Sequence, residues 1–165
     1  MGLFDSLGRW LGGRKPAEAP APAPAPAPAR KDPIAAIGAA RRAHAAELET
    51  TPAQRAAIYA VFRDALDANA HDYLDLLLAS PQRERVAQRQ VEVAMEAYFC
   101  GLMARRGWID AVDAQQGAFF LGRKLRDEIR ALGVDLAKVS ANFGTVVDRA
   151  LLSIVEREFP AEPAA

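Results

Sequence analysis

Cysteine is almost missing: Cys100 is the only one in 165 residues. One thiol excludes an intramolecular disulfide and every CxxC zinc or redox motif, a usage that fits a reducing compartment. Histidine is scarce as well, with only His44 and His71, thin material for acid–base or metal chemistry. Net charge is zero, 21 basic residues against 21 acidic ones. The balance shifts along the chain, however. Residues 1–31 carry Arg9, Arg14, Lys15, Arg30 and Lys31 against Asp5 and Glu18, so the remainder is left with 16 basic and 19 acidic residues. A slightly acidic domain lacks the clustered positive charge on which nucleic-acid affinity rests, and no nucleic-acid partner is expected. No stretch approaches the ~20 apolar residues of a membrane-spanning helix. Sustained period-2 alternation is absent too, so no sheet is expected.

Proline, by contrast, is concentrated. Residues 16–33 read PAEAPAPAPAPAPARKDP, where alternating proline removes backbone donors, fixes φ and favours extended polyproline II. At ~3.1 Å per residue the segment reaches roughly 55 Å, a semi-rigid spacer. Its PxxP spacing follows from proline at every second position and does not by itself mark a recognised ligand.

Beyond the spacer the punctuation is helical. Asp32-Pro33 is an N-cap followed by proline at the first helical position, and predicts a helix to about Glu49. Thr51-Pro52-Ala53-Gln54 is a capping box that starts a helix to about Ala79. Ser80-Pro81 repeats the cap for a helix that ends near Gly107, after Arg105-Arg106. Residues Asp110 to Asp113 begin a fourth, ending at Gly133, and Asp135 a fifth, ending before Pro160. Stripes at helical spacing supply the core: Ile58, Phe62, Ala65, Leu66, Asn69, Tyr73, Leu76 and Leu77 in the second helix, and Leu136, Val139, Phe143, Val146, Val147, Ala150 and Ile154 in the last. Residues 98–103, YFCGLM, are apolar all round and predict an enclosed helix end. The expected fold is all-α, an antiparallel bundle of about five helices. The organisation is a targeting helix at 1–13, a linker at 14–31, the bundle at 32–160 and a tail at 161–165.

The opening MGLFDSLGRWLGG is the least ordinary stretch. On a helical wheel Leu3, Phe4, Leu7, Trp10 and Leu11 share an arc of about 120°, with Asp5 and Arg9 opposite. Gly12-Gly13 ends the pattern and Arg14-Lys15 follow. It is a poor secretory signal, because its positive charges follow the apolar part instead of preceding it, and it is expected to remain in the protein. So short a helix does not hold in water, so folding should accompany binding. Tryptophan among leucines, closed by cations, suits an interfacial helix on anionic lipid, with Arg9, Arg14 and Lys15 adding attraction. Anchors at i, i+3, i+4 and i+7 suit a groove on a protein equally well. Folding back on the chain's own bundle is a third use, which a stiff spacer does not favour. MGLFDS also satisfies the myristoylation pattern through Gly2 and Ser6, a modification that requires a eukaryotic transferase. The Ala- and Arg-heavy composition reads as bacterial. A short terminal helix on a Pro/Ala tether resembles the encapsulation peptides that deliver cargo into bacterial protein shells, and that resemblance implies a cargo or adaptor protein.

No catalytic constellation is legible. His44, in RRAH, is expected on a solvated face, and His71 on an acidic one with Asp64, Asp67 and Asp75. No metal or cofactor is assigned, and Cys100 reads as a buried structural thiol. Gly117 and Gly122 have neither Walker spacing nor a preceding strand. The run Arg130-Ala131-Leu132-Gly133-Val134, with Phe143 and Leu151-Leu152, resembles the stretch after the proximal histidine of globins. The resemblance covers about 25 residues and implies a globin-like bundle without haem, because Ile129 at the iron-ligating position cannot bind iron. In the helix from Ala111 the inward side reads Ala114, Ala118, Leu121, Leu125, Ile129 and Leu132. Val112, Phe119 and Phe120 fall outside that side, and Trp108 stands in the preceding connection. Either they pack a second face, or they form a contact with another subunit or protein. The chain is therefore expected to be a non-enzymatic cytoplasmic tether, peripheral at the inner membrane, whose bundle self-associates or grips a protein. The alternative is an adaptor whose terminal helix enters a protein groove.

Overall fold

Asp32 caps the first helix as its sequence demands: its carboxylate accepts from the Ile34 amide at 3.0 Å, with Pro33 at the first helical position. These details come from a computed structural model, which describes residues 20–24 and 32–159. The chain divides into two units, Met1–Arg30 and Lys31–Ala165. In the first, residues 20–24 are exposed and carry no regular structure. The second is all-helical over its described residues: α1 (Pro33–Ala43), α2 (Pro52–Asn69), α3 (His71–Leu78), α4 (Arg83–Arg105), α5 (Ala111–Ala131) and α6 (Phe143–Glu156), with short 3-10 turns at Ala45–Glu47 and Leu136–Lys138.

The capping box of α2 forms in both directions, Thr51 Oγ1 accepting from the Gln54 amide and Gln54 Oε1 from the Thr51 amide, each at 3.1 Å. Gly107 and Gly133 end α4 and α5 with φ of +71° and +86°. Both adopt the full Schellman pattern: Trp108 and Val134 amides reach back to Met103 and Ile129 carbonyls at 2.9 and 3.3 Å, a conformation that costs glycine little.

Four boundaries differ from expectation. The expected second helix breaks at Ala70, whose φ of −139° and ψ of 48° leave the helical region. Asn69 turns its amide back onto the Ala65 carbonyl at 3.0 Å, a side-chain bond that competes with helix continuation. Asn69 is consequently exposed and Ala70 takes the buried place. Asp72 then fastens the break, accepting from its neighbour Tyr73 and from the Ser140 amide of a distant loop. The last helix starts at Phe143, because Asp135 caps only a 3-10 turn, through Ala137, before Val139 becomes extended. The first α-helix stops at Ala43, and α4 starts at Arg83 because Ser80 Oγ accepts from Gln82 in a turn.

Helix α4 is the spine. Its Val86, Val93, Ala94 and Ala97 are buried, and from Tyr98 to Met103 only Leu102 is not. It packs on α5 and α6, while α2 packs on α6 and α4, and α1 on α5. Gly101 lets α4 and α6 touch backbone to backbone: a methyl there would collide with the Val155 carbonyl. Gly122 does the same for α5 against Asp148, whose carboxylate is held by Arg126 at 3.0 Å. Of the inward residues predicted for α5, Ala114, Ala118, Leu121, Leu125 and Ile129 are buried, and Leu132, at its C-cap, is half-buried.

Candidate functional site

Helices α1, α4 and α5 leave between them a cleft of about 450 Å³. Ile34 and Ile37 of α1, Val93 and Cys100 of α4, and Phe120 and Leu121 of α5 give it apolar walls, and Arg41, Glu96 and Lys124 a charged edge. Gly117 makes room for α1, since a Cβ there would meet Ile37 at 2.8 Å and the Cys100 sulfur at 3.3 Å. Arg41 is committed already, to Glu96 at 2.8 Å and over the Phe99 ring at 4.5 Å. Farther along, Arg89 grips Glu128 with two nitrogens at 2.9 and 2.7 Å and also bonds Glu92. These pairs hold α4 to α1 and to α5. The Arg89–Glu92 pair was readable from its i,i+3 spacing; the Arg41–Glu96 and Arg89–Glu128 pairs join residues far apart in sequence and left no such signal.

Cys100 is buried, and burial, with Glu96 beside it, pushes its thiol up to about 12 against a partial pull from Arg41. At pH 8 such a thiol holds about a thousandfold less thiolate than an ordinary one. Its reaction with an aromatic disulfide reagent should therefore be slower by two orders of magnitude or more, roughly, in the folded chain than in denaturant. Equal rates would show that the thiol is open.

The two histidines do not converge. His44 departs from the solvated place expected of it: partly buried at the end of α1, its ring stacks on Trp108 with centroids 3.6 Å apart and planes 4° off parallel. Its Nδ1 also pairs with Glu47 at 2.9 Å. The reason is geometric, since the end of α1 meets the α4–α5 connection. His71 is exposed at the start of α3. Among the described residues no three His, Cys, Asp or Glu side chains are grouped as metal ligands. Ile129, the position that the globin likeness would align with an iron ligand, is fully buried in apolar core.

The four residues proposed for a protein contact fall in two places. Trp108 is half-buried under His44, with the Arg106 guanidinium 5.0 Å from its ring centroid. Val112, Phe119 and Phe120 are exposed on α5, at 54, 45 and 37 %. Leu78, exposed to 69 % at the end of α3, went unnoticed in sequence; the run Leu76-Leu77-Leu78 was the available clue, because three successive helical positions cannot all face inward. Leu3, Phe4, Leu7, Arg9, Trp10, Leu11, Arg14 and Lys15 lie outside the described residues. Among the described residues no helix is long and apolar enough to cross a membrane. No protein-family model, curated protein or solved structure matches the chain.

Proposed function

We propose that the protein is a non-catalytic tether, peripheral at the cytoplasmic face of the inner membrane. Residues 1–15 attach it to anionic lipid, the Pro/Ala segment sets a stand-off distance, and the bundle presents α5 to a protein. The observation that carries this is the single arc of Leu3, Phe4, Leu7, Trp10 and Leu11 closed by Arg14-Lys15. Five large apolar side chains gain roughly 1.5–3 kcal/mol each when fully buried. Partial insertion and the ordering of the segment consume much of that, so a single attachment is weak and reversible. The exposed Val112, Phe119 and Phe120 supply what a tether needs at its other end, an apolar surface outside the core.

Flotation of the full chain with lipid vesicles tests the attachment. Phosphatidylglycerol vesicles should carry it upward more strongly than phosphatidylcholine vesicles, and added salt should weaken the difference. Replacing Leu7 and Trp10 together by Asp should lower the partition at least about tenfold, given the burial that two such side chains forfeit. A wild-type chain that stays at the bottom with every vesicle, yet is held by a protein complex through residues 1–13, would make it an adaptor for a protein groove.

A further inference from the structure

Helix α6 sends its two kinds of charge in different directions. Asp148 and Glu156 turn to α5, to Arg126 at 3.0 Å and to Gln115 at 3.5 Å. Their sequence neighbours Arg149 and Arg157 line instead a groove of about 370 Å³ between α6 and α2. Among the described residues neither arginine takes part in an ion pair, and no carboxylate lines the groove. On α2, Asp64 and Asp67 pair with Arg63, and Glu158 is exposed outside the groove. From residue 32 onward the chain holds more acid than base, so this local excess of cation does not follow from composition.

Donors stand beside the arginines. The side chains of Asn142, Thr145 and Ser153 also line the groove, and among the described residues none of them is hydrogen-bonded. Thr145, Arg149 and Ser153 follow at four-residue spacing, one above the next on one side of α6, over about 12 Å. Asn142 starts α6 without a side-chain capping bond, so the positive end of the helix adds to that end of the groove. Guanidinium, hydroxyl and amide groups together offer more hydrogens than the two oxygens of a carboxylate accept well. A phosphate has three oxygens to share among them and takes the arginine fork in a bidentate pair.

The groove is also too large for a lone ion, and its volume is that of a small-molecule site. Val61 and Ala65 of α2, with Val146 and Ala150 of α6, give it an apolar floor. From the unpaired arginines and the donors beside them we infer that the α2–α6 groove binds a small organic phosphate. The phosphate lies on Thr145, Arg149 and Ser153, and the apolar body of the molecule on Ala65 and Val146. This site is independent of the tether, because none of its residues belongs to the attachment segment.

Proton–nitrogen correlation spectra of the full chain, titrated with phenyl phosphate, test it. At about pH 7.5 a phosphomonoester is mostly dianionic. The amides of Thr145, Arg149 and Ser153 should shift, with a dissociation constant of about 1 mM or tighter. Benzoate, which carries the same ring on a carboxylate, should bind about tenfold more weakly. Arg149→Met keeps the apolar stem and should also weaken phenyl phosphate about tenfold or more. Arg123→Met removes the same charge from an exposed place on α5 and should leave the constant within about twofold. The spectra themselves show whether each variant is folded. Shifts absent up to about 10 mM phenyl phosphate overturn the site, as do equal losses from the two arginine variants. Benzoate binding as tightly as phenyl phosphate overturns the phosphate. Dihexanoyl phosphatidic acid, titrated into the Leu7→Asp/Trp10→Asp variant so that residues 1–15 add no lipid binding, tells a lipid headgroup from a free phosphate. Tighter binding of that lipid than of phenyl phosphate at the same amides overturns the soluble ligand. Flotation stays a separate measurement, so failure of the membrane attachment and failure of this site are told apart.

Discussion

Replacing Gly101 by alanine should cost the bundle about 3 kcal/mol, the upper part of the range for overpacking a core. A Cβ at this position meets the carbonyl oxygen, carbonyl carbon and Cα of Val155, all of them backbone. Backbone cannot rotate aside as a side chain can, so α4 and α6 would have to separate. The same carbonyl accepts from Arg105 Nη1 at 3.2 Å, which satisfies one of the last acceptors of α6. Pushing it away loses that bond too. For a domain of this size the midpoint of thermal unfolding should fall by roughly 10 °C, and Gly101→Val should leave no cooperative transition. Gly38→Ala is the control. It sits inside α1, where the nearest atom to a new Cβ is the end of the Arg42 side chain at 3.4 Å. Alanine there should stabilise by about 0.5–1 kcal/mol through helix propensity alone. Urea titrations of the two variants give the comparison, and a Gly101→Ala chain as stable as wild type would mean that the α4–α6 approach is not as close as described.

Gly101 also shows how far this fold is legible in its sequence. That YFCGLM is enclosed follows from apolar residues on every side of a helix, and the structure buries all of them but Leu102. What touches Gly101 does not follow, because Val155 is fifty-four residues away and nothing local encodes the pairing. The caps were readable for the opposite reason. Asp32-Pro33, Thr51-Gln54, Gly107 and Gly133 act within one turn of the chain, where geometry depends on near neighbours. Other boundaries depart from the pattern where side-chain bonds redirect the chain, most of them local and one of them tertiary. The Ala70 break is invisible in a stripe that runs in phase from Ile58 to Leu77, and it is the Asn69 side chain and the Asp72–Ser140 bond that fasten it. At the α5 face the outward phase of Val112, Phe119 and Phe120 was readable, since the inward stripe left them over. Trp108 was not, because the stacking partner His44 lies sixty-four residues away.

Among the described residues Gln90 is the one buried side chain of the amide or charged kind, and removing it should have the second large effect. Its Nε2 donates to the Tyr73 hydroxyl at 2.5 Å, and its Oε1 accepts from the Tyr59 hydroxyl at 3.3 Å. Tyr73 is fully buried, its ring 4.3 Å from that of Phe143. Gln90→Ala leaves the Tyr73 oxygen without its donor and opens a cavity, which together cost about 2–4 kcal/mol. Tyr73→Phe strands the amide instead, at about 1–3 kcal/mol. Tyr73→Phe combined with Gln90→Met removes both partners and should cost less than the sum of the singles, because no buried polar group is then left unmet. The pH dependence gives an independent readout. Burial raises the Tyr73 hydroxyl above its ordinary value near 10, against a smaller opposing effect of the Gln90 bond, and burial likewise raises Tyr59 and Cys100. Above about pH 9 the unfolded chain begins to release protons that the folded one retains, so stability falls as pH rises. Each fully titrating group contributes about 1.4 kcal/mol per pH unit to that decline. Tyr73→Phe should flatten the loss between pH 10 and 11, measured as urea midpoints. An unchanged slope would mean that the hydroxyl reaches water, and with it that Gln90 is not its essential partner.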